Sequence, residues 1–287
     1  MFPKFEILGY TVGTYGLLAA LGAILCGILL CRALKKRGLM MEDGILFFVI
    51  VMGGVLIGGH ILYAITNLKH FYLLFEKVSF GEWVRRLGSI FGGSVFYGGL
   101  YGGLAAGVLA SKILHLDLKL WADLMTPIIP LFHAFGRVGC FLAGCCYGIE
   151  SDFGFTITNN KYIPSINGVS RFPVQLLEAV CNLALAFVMF RLLRKRENEK
   201  LKGNLIFIYL IIYGILRFLD EFLRGDLVRG FVGPLSTSQF ISIISIALSS
   251  FLLYKSLHKK NAAEAIPEAE APTEAEAVSD TDNATIA

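Results

Sequence analysis

Long apolar runs separated by short polar links recur along the chain. A helix that crosses a hydrocarbon core of about 30 Å needs about 20 consecutive, predominantly apolar residues. The runs do not alternate apolar and polar positions, as the strands of a membrane barrel do. Because a backbone exposed to lipid must satisfy its own hydrogen bonds, the pattern predicts helices. Seven spans are predicted: Tyr10–Leu34, Gly44–Ile65, Ile90–Leu114, Trp121–Ala134, Pro173–Leu193, Leu205–Leu219 and Leu235–Leu257. The fourth span is the shortest, and we expect it to continue through Arg137 toward Gly148.

Composition agrees with a membrane protein. The chain is 55% hydrophobic and 17% charged, whereas soluble domains carry about 25% charged residues. We therefore predict an all-α, polytopic membrane protein in which residues 1–260 form one transmembrane domain. Residues 261–287 contain seven acids and no Lys or Arg. That composition cannot bury an apolar core, so it predicts a disordered tail.

Basic residues predict the orientation, because links rich in Lys and Arg stay in the cytoplasm. With seven spans, the basic clusters all fall on one side: Arg32, Lys35, Lys36 and Arg37; Lys112 and Lys119; Arg191, Arg194, Lys195, Arg196, Lys200 and Lys202; and Lys255, Lys259 and Lys260. The N-terminus is therefore expected outside and the C-terminus in the cytoplasm.

Polar groups at membrane depth are the candidate functional residues, because a charged side chain is costly there. On a helix, His133, Arg137 and Cys140 share one face, and nearby glycines such as Gly139 would let a ligand approach. The planar guanidinium of Arg137 matches the oxygens of a lipid phosphate. The alternative is an interfacial arginine that extends to the headgroups.

Two further segments are candidates for the functional site, one because of its charged residues and one because of its glycines. Arg217 and Glu221 are four residues apart and can pair on a helix, with Arg224 one turn on; the alternative is a structural salt bridge. Paired glycines that include Gly98 and Gly99 suggest a loosened backbone beside a cavity. Here the alternative is tight helix packing through small residues.

Cys140, Cys145 and Cys146 lie close to His133 in the sequence, and thiolates with imidazole are preferred zinc ligands. Their spacing matches no closed zinc site, and adjacent cysteines seldom bind one ion together. A redox role on an oxidising outer face is an equally weak alternative. We predict no metal and no cofactor.

Five stretches together resemble one known family, in the order that the family has them. They are Thr14-Tyr15-Gly16-Leu17, Phe96-Tyr97-Gly98-Gly99-Leu100, Gly136-Arg137-Val138-Gly139-Cys140-Phe141, Phe172-Pro173-Val174-Gln175-Leu176-Leu177-Glu178-Ala179, and Tyr213-Gly214 with Arg217-Phe218, Glu221 and Arg224. The third resembles the signature of prolipoprotein diacylglyceryl transferases, Gly-Arg-x-Gly-Asn-Phe-x-Asn-x-Glu-x-x-Gly. The matches cover nearly all of the membrane portion.

The resemblance implies an enzyme of the bacterial cytoplasmic (inner) membrane. Such an enzyme moves the diacylglyceryl group of phosphatidylglycerol onto the lipobox cysteine in the signal-peptide region of a prolipoprotein, and glycerol 1-phosphate leaves. Membrane lipid and these two substrates are the expected partners, and no nucleic acid is expected. The implied catalytic residues are Arg137, Arg217, Glu221, Tyr97 and His133. The implied substrate-binding residues are Tyr15, Gly98, Gly99, Gly139, Cys140, Gln175 and Arg224.

The chain departs from the family pattern at several polar positions. The histidine of Phe-His-Gly-Gly, a candidate proton acceptor, is Tyr97 here, whose reference pKa near 10 suits a base poorly. His133 or His60 would then be needed in its place. The signature asparagine and glutamate are Cys140 and Cys145. Two alternatives therefore stay open: the same donor with a different acceptor, or a phospholipid-binding protein without catalysis.

Overall fold

The computed structural model describes residues 4–7, 10–158, 164–196, 201–226 and 230–264, which are mostly helical. The α-helices are α1 (Thr14–Lys35), α2 (Met41–Thr66), α3 (Phe80–Phe91), α4 (Phe96–Ile113), α5 (Leu118–Met125), α6 (Ile128–Ala143), α7 (Val174–Arg194), α8 (Leu205–Asp220) and α9 (Thr237–Glu264). Short 3₁₀ turns cover Leu68–Leu74, Pro164–Ile166 and Glu221–Leu223. The strands are β1 (Lys4–Ile7), β2 (Tyr10–Gly13), β3 (Glu150–Thr156), β4 (Ser170–Arg171), β5 (Phe231–Val232) and β6 (Leu235–Ser236).

The fold class predicted from hydropathy is confirmed: the chain is a helical, multi-pass membrane protein. Within the described residues, five helical segments are long and apolar enough to cross a membrane, and a sixth counts if the bent pair α3–α4 is one span. Helix α8 is apolar but has only 16 residues. The total of seven spans and the orientation of the termini therefore stay predictions.

The fourth predicted span continues through Arg137, as expected. Helices α5 and α6 together form one apolar segment, Leu118–Ala143, of 26 residues. It ends short of Gly148 because Gly144 adopts φ 75°, a left-handed conformation that terminates the helix and that glycine adopts without steric cost.

The third predicted span starts later than expected. Helix α4 begins at Phe96 and not at Ile90, because the chain breaks at Gly92–Val95 and turns by 87° between α3 and α4. His60 of α2 holds this break: its Nδ1 donates to the carbonyl oxygens of Phe91 and Gly93, each 2.8 Å away. His60 is thus a tether for the backbone. Helix α3, capped by the Ser79 hydroxyl, which accepts from the Glu82 amide, was not predicted.

Three short antiparallel hairpins, β1–β2, β3–β4 and β5–β6, were also missed. Tyr10–Gly13, the predicted start of the first span, forms β2 and pairs with β1. The hairpins follow from pairing between segments that hydropathy cannot detect. At the other terminus α9 extends to Glu264, four residues into the predicted tail; residues 265–287 lie outside the described residues.

Helices α2 and α4 approach each other through facing glycines. A Cβ on Gly58 would collide with the Gly98 carbonyl oxygen and come within 2.8 Å of the Gly102 Cα. A Cβ on Gly102 would likewise collide with the Gly54 carbonyl and come within 2.9 Å of the Gly58 Cα. Each helix thus carries two glycines four residues apart at the contact, the spacing that brings membrane helices closest together.

Helix α6 packs extensively against both α1 and α7. A core of buried side chains from α1, α2, α4, α5, α6, α7 and α8 surrounds its first half, and includes Leu30, Phe47, Trp121 and Leu131. Large apolar side chains such as Ile24, Ile57, Val180 and Phe251 lie on outer faces and are at least 60% exposed, as expected for helices that contact hydrocarbon.

The links predicted to be cytoplasmic meet at one end of the bundle. Arg37, Leu120, Arg194 and Arg196 line one hollow of about 170 Å³. Asp123 accepts from Arg196 Nε at 2.7 Å and from the amides of Gly203 and Leu205, which joins α5 to the link before α8. The C-terminal ends of α6 and α8 and the N-terminal ends of α7 and α9 lie toward the opposite end.

Candidate active site

Two arginines from different helices share one carboxylate inside the bundle. Glu178, near the start of α7, places Oε2 at 2.6 Å from Nε of Arg137 on α6 and Oε1 at 3.3 Å from Nη1 of Arg217 on α8. Glu178 is separated from Arg217 by 39 positions in the chain, so no local pattern predicts this contact. The two guanidinium groups that sequence reasoning proposed for phosphate binding are therefore brought to one site.

Arg217 has further partners. Its Nη2 lies 2.6 Å from Glu221 Oε2, the ion pair predicted from their spacing of four residues, and donates to Ser238 Oγ of α9 at 3.1 Å. Arg217 and Glu221 thus form the salt bridge that was the alternative interpretation. The hydrogen bond from Arg217 to Ser238 joins α8 to α9. Glu178 and Ser238 were not among the predicted site residues.

Both arginines are removed from water: Arg137 is 6% and Arg217 is 4% exposed. The alternative in which Arg137 extends out to the headgroups does not agree with this burial. Two guanidinium groups and two carboxylates balance in charge, which is what a low-dielectric interior requires. Among the described residues, Arg137 uses only Nε in hydrogen bonds and ion pairs. Its two terminal nitrogens, which form the guanidinium fork, are left for a ligand.

His133 holds Arg137 from one turn earlier on α6. Its Nε2 accepts from Arg137 Nε at 3.1 Å, and its ring stacks on Phe96 with centroids 3.8 Å apart. An imidazole that accepts from a guanidinium is neutral and carries its proton on Nδ1. The lone pair that a general base would use is thus occupied, which favours a positioning role over a base.

Tyr97 is held in a chain of hydrogen bonds to α9. Its hydroxyl lies 2.6 Å from Ser242 Oγ, and Ser242 in turn donates to the Ser238 carbonyl at 2.8 Å. Because the Ser242 proton is used there, Tyr97 is the donor of the first bond. As placed, Tyr97 is a protonated phenol that fixes α4 against α9, next to Ser238 and therefore next to Arg217.

Tyr15, at the start of α1, lies across the glycine face of α6. A Cβ on Gly139 would come within 3.1 Å of Tyr15 Cδ2, so glycine leaves room here that a larger residue would take from Tyr15. Tyr15 is 49% exposed and reaches over the face that carries Arg137 and Cys140. Tyr15 and Gly139 thus lie near Arg137, and their contact with a substrate stays a prediction.

The chain after α6 ties three helices together at this end. The amide of Ile149 donates to the Leu223 carbonyl at 3.0 Å, and that of Gly225 donates to the Tyr147 carbonyl at 3.0 Å. Gln175 Nε2 donates to the Cys145 carbonyl at 2.8 Å. Gln175 thus supports the loop, and its 2% exposure leaves it little surface. Arg224 pairs with Asp226 through both Nε and Nη2, outside the Glu178 cluster.

Cys140, in the last turn of α6, lies close to Cys145 and Cys146, which follow the helix. Their Sγ atoms all lie within 4.8 Å of one another. Hydrogen bonds from the thiols of Cys140 and Cys145 lower the pKa of the Cys146 thiol well below its usual value; burial opposes this, and the charges of Arg137 and Arg224 add to it. Cys146 was not among the predicted site residues.

Gly98 and Gly99 lie on the face of α4 that contacts α2. A Cβ on Gly98 would collide with Gly58, and one on Gly99 would come within 3.1 Å of the Val55 carbonyl. This supports the packing alternative for these glycines. A substrate contact is not needed to explain them, and it stays a prediction.

Comparisons with known proteins agree with the motif resemblance. A family model described as "Prolipoprotein diacylglyceryl transferase" matches residues 4–255. The chain is 38% identical over 252 residues to the phosphatidylglycerol–prolipoprotein diacylglyceryl transferase of Clostridium tetani. This alignment covers 86% of the chain and 94% of that protein. It is 39% identical over 257 residues to transferase 2 of that name from Clostridium perfringens, with 87% and 92% covered. The protein of that name from Geobacter sulfurreducens is 32% identical over 250 residues, with 84% and 91% covered. The chain is therefore a member of the prolipoprotein diacylglyceryl transferase family.

Proposed function

We propose that this protein transfers the diacylglyceryl group of phosphatidylglycerol to the thiol of the lipobox cysteine of a prolipoprotein, in the bacterial cytoplasmic membrane. The observation that carries the proposal is the buried pair Arg137 and Arg217 around Glu178, in a chain that belongs to this family. The pair lies toward the end of the bundle opposite the basic links, which is the outer side if the predicted orientation holds.

In this reaction a carbon–sulfur bond forms at the glyceryl carbon while the carbon–oxygen bond to phosphate breaks, and the thiol proton passes to the departing phosphate monoester or to water. The electron pair of the broken bond stays on the phosphate oxygen, so negative charge develops on the departing glycerol phosphate. Guanidinium groups already fixed in a dry site stabilise such charge without reorganising. The free terminal nitrogens of Arg137 would bind the phosphate, with Arg217 as the second cation.

Glu178 and Glu221 would keep the two guanidinium groups in place while the terminal nitrogens of Arg137 contact the phosphate. His133 would orient Arg137, and Tyr15 with Gly139 would border the donor. Tyr97 acts in this proposal as a positioning residue, because its proton is donated to Ser242. Cys140, which stands where the family signature has asparagine, would lie beside the bound phosphate.

The test uses the full chain in vesicles that contain phosphatidylglycerol, with a peptide that carries a lipobox cysteine. We expect the peptide to gain the mass of one diacylglyceryl group, with one glycerol phosphate released per peptide. Arg137→Ala should lower the rate by at least about 10²–10³-fold, as loss of a transition-state donor does, while Arg191→Ala, an exposed arginine on α7, should leave it unchanged.

Two results would contradict the proposal. One is a rate for Arg137→Ala close to that of the unchanged protein. The other is release of glycerol phosphate with no thioether on the peptide, which would point to a different acceptor. A peptide with serine in place of the lipobox cysteine is the matched substrate control and should stay unmodified.

A further inference from the structure

We propose that Cys140, Cys145 and Cys146 form a binding site for a thiophilic metal ion of the zinc class, with three thiolate ligands and one open coordination position. The three Sγ atoms already lie within 4.8 Å of one another. Tetrahedral zinc–thiolate sites, with Zn–S near 2.3 Å, separate their sulfurs by about 3.8 Å. Small side-chain rotations would therefore close the site around an ion, without movement of the helices.

Adjacent cysteines seldom bind one ion together, but the backbone conformation explains how Cys145 and Cys146 can do so here. Helix α6 ends in a tight turn in which the Cys145 amide donates to the Cys140 carbonyl at 3.1 Å. Gly144 has φ 75° and Cys146 has φ 54°, so two left-handed residues flank Cys145 and change the direction of its neighbours. Strained conformations at non-glycine residues are often kept for a ligand; among the described residues, Cys146 shares this feature only with His115.

The charges around the cluster suit an anionic complex. Binding of Zn²⁺ by three thiols releases three protons to water and leaves a complex with one net negative charge. The guanidinium groups of Arg137 and Arg224 both act electrostatically on Cys146. These cations would oppose a bare metal ion but stabilise the thiolate complex, so the surroundings favour three thiolates over one or two.

The cluster is accessible and distinct from the other cysteines. Cys140, Cys145 and Cys146 are all partly exposed, whereas Cys26 is fully buried. Cys26 and Cys31 lie on α1 and Cys181 lies on α7, and no second cluster of metal-binding side chains occurs in the part of the chain that the structure describes. The inference does not depend on the proposed transferase activity.

The experiment titrates the reduced, metal-free, full-length protein in detergent with Zn²⁺ against a chromophoric chelator, and with Cd²⁺ to follow thiolate charge-transfer absorption. We expect one ion per chain. Cys140→Ser and Cys146→Ser should each weaken binding by at least roughly tenfold, the loss that even an outer hydrogen-bond partner of a ligand causes when removed. Cys181→Ser is the matched control and should bind as the unchanged protein does.

A second measurement avoids variants altogether, in case one fails to fold. In the unchanged protein, Zn²⁺ should protect Cys140, Cys145 and Cys146 from alkylation and leave Cys181 reactive. Equal alkylation of all four with and without Zn²⁺ would overturn the proposal. Zn²⁺ binding that survives in both serine variants would also overturn the proposal. So would a disulfide among the three cysteines as the protein is isolated, if the protein binds no Zn²⁺ once that disulfide is reduced; the cluster would then have a redox role.

Discussion

Glu178 is the residue on which the candidate active site depends, because its two oxygens hold two guanidinium groups from different helices. It is 1% exposed, so water cannot replace it. A buried carboxylate shared in this way fixes the distance between the cations. A phosphate that enters would contact the terminal nitrogens of Arg137, because Glu178 contacts only Nε of that residue.

Replacement of Glu178 by glutamine should therefore destabilise the protein. The change removes the carboxylate that contacts both buried guanidinium groups and leaves Glu221 as an ion-pair partner of Arg217 alone, and breaking a buried ion pair typically costs about 3–5 kcal/mol. The free energy of unfolding, measured by denaturant titration in detergent, checks this.

Glu42→Gln is the control, because Glu42 is an exposed acid in the first turn of α2. Exposed substitutions usually change stability by less than about 0.5 kcal/mol. If Glu178→Gln were as stable as Glu42→Gln, the two arginines would not depend on Glu178 for charge balance.

The contact between helices α2 and α4 explains the paired glycines of α4, which the sequence alone also allowed to line a cavity. The paired glycines of α4 match glycines of α2 at the same spacing, and backbone touches backbone at Gly58 and Gly102. In lipid there is little hydrophobic drive to associate helices, so close van der Waals contact has to supply it. The glycines are thus accounted for by packing.

A methyl group at this contact should be costly. For Gly58→Ala we expect the free energy of unfolding to fall by about 1–3 kcal/mol, the usual cost of overpacking, because the atoms it meets are backbone atoms of α4 that cannot rotate away. Thermal unfolding in detergent measures this.

Gly53→Ala on the same helix is the matched variant. Its Cβ would meet nothing within 4 Å, and alanine favours a helix over glycine by about 1 kcal/mol. Gly53→Ala should therefore be as stable as the unchanged protein or more so. Equal loss in both variants would show that the α2–α4 contact is not the cause, because helix propensity favours alanine at both positions.

At the scale of the whole molecule, the basic links and the candidate active site lie toward opposite ends of the bundle. Basic side chains from the links after α1 and α7 border one hollow, and the Arg137–Glu178–Arg217 cluster lies toward the other end. Links rich in Lys and Arg remain in the cytoplasm. The site should therefore lie near the outer leaflet, where a secreted prolipoprotein arrives.

Reporter fusions test this orientation. A fluorescent protein fused after the last residue should fluoresce, because the C-terminus is predicted to be cytoplasmic, and alkaline phosphatase at the same place should be inactive. Phosphatase inserted near Lys77, in the link between α2 and α3, should be active. The reverse pattern would place the site on the cytoplasmic side and contradict access from outside.

The fold class and most helix positions could be predicted from the sequence, because hydropathy over about 20 residues is a local property. Helix α7 begins one residue after the predicted span and ends one residue after it. The break between α3 and α4 and the hairpins could not be predicted in this way. The start of α4 at Phe96 depends on His60 of another helix, and the hairpins depend on pairing between segments.

The apolar runs were sufficient to predict a polytopic membrane protein, and five stretches in family order, none decisive alone, were sufficient to predict this family. The sharing of Glu178 between Arg137 and Arg217, the use of Gly98 and Gly102 against α2, and the convergence of three sulfurs required the folded chain. The reason is physical: these features join groups from separate helices, or depend on left-handed turns such as that of Cys146, and neither is encoded in the periodicity of one segment.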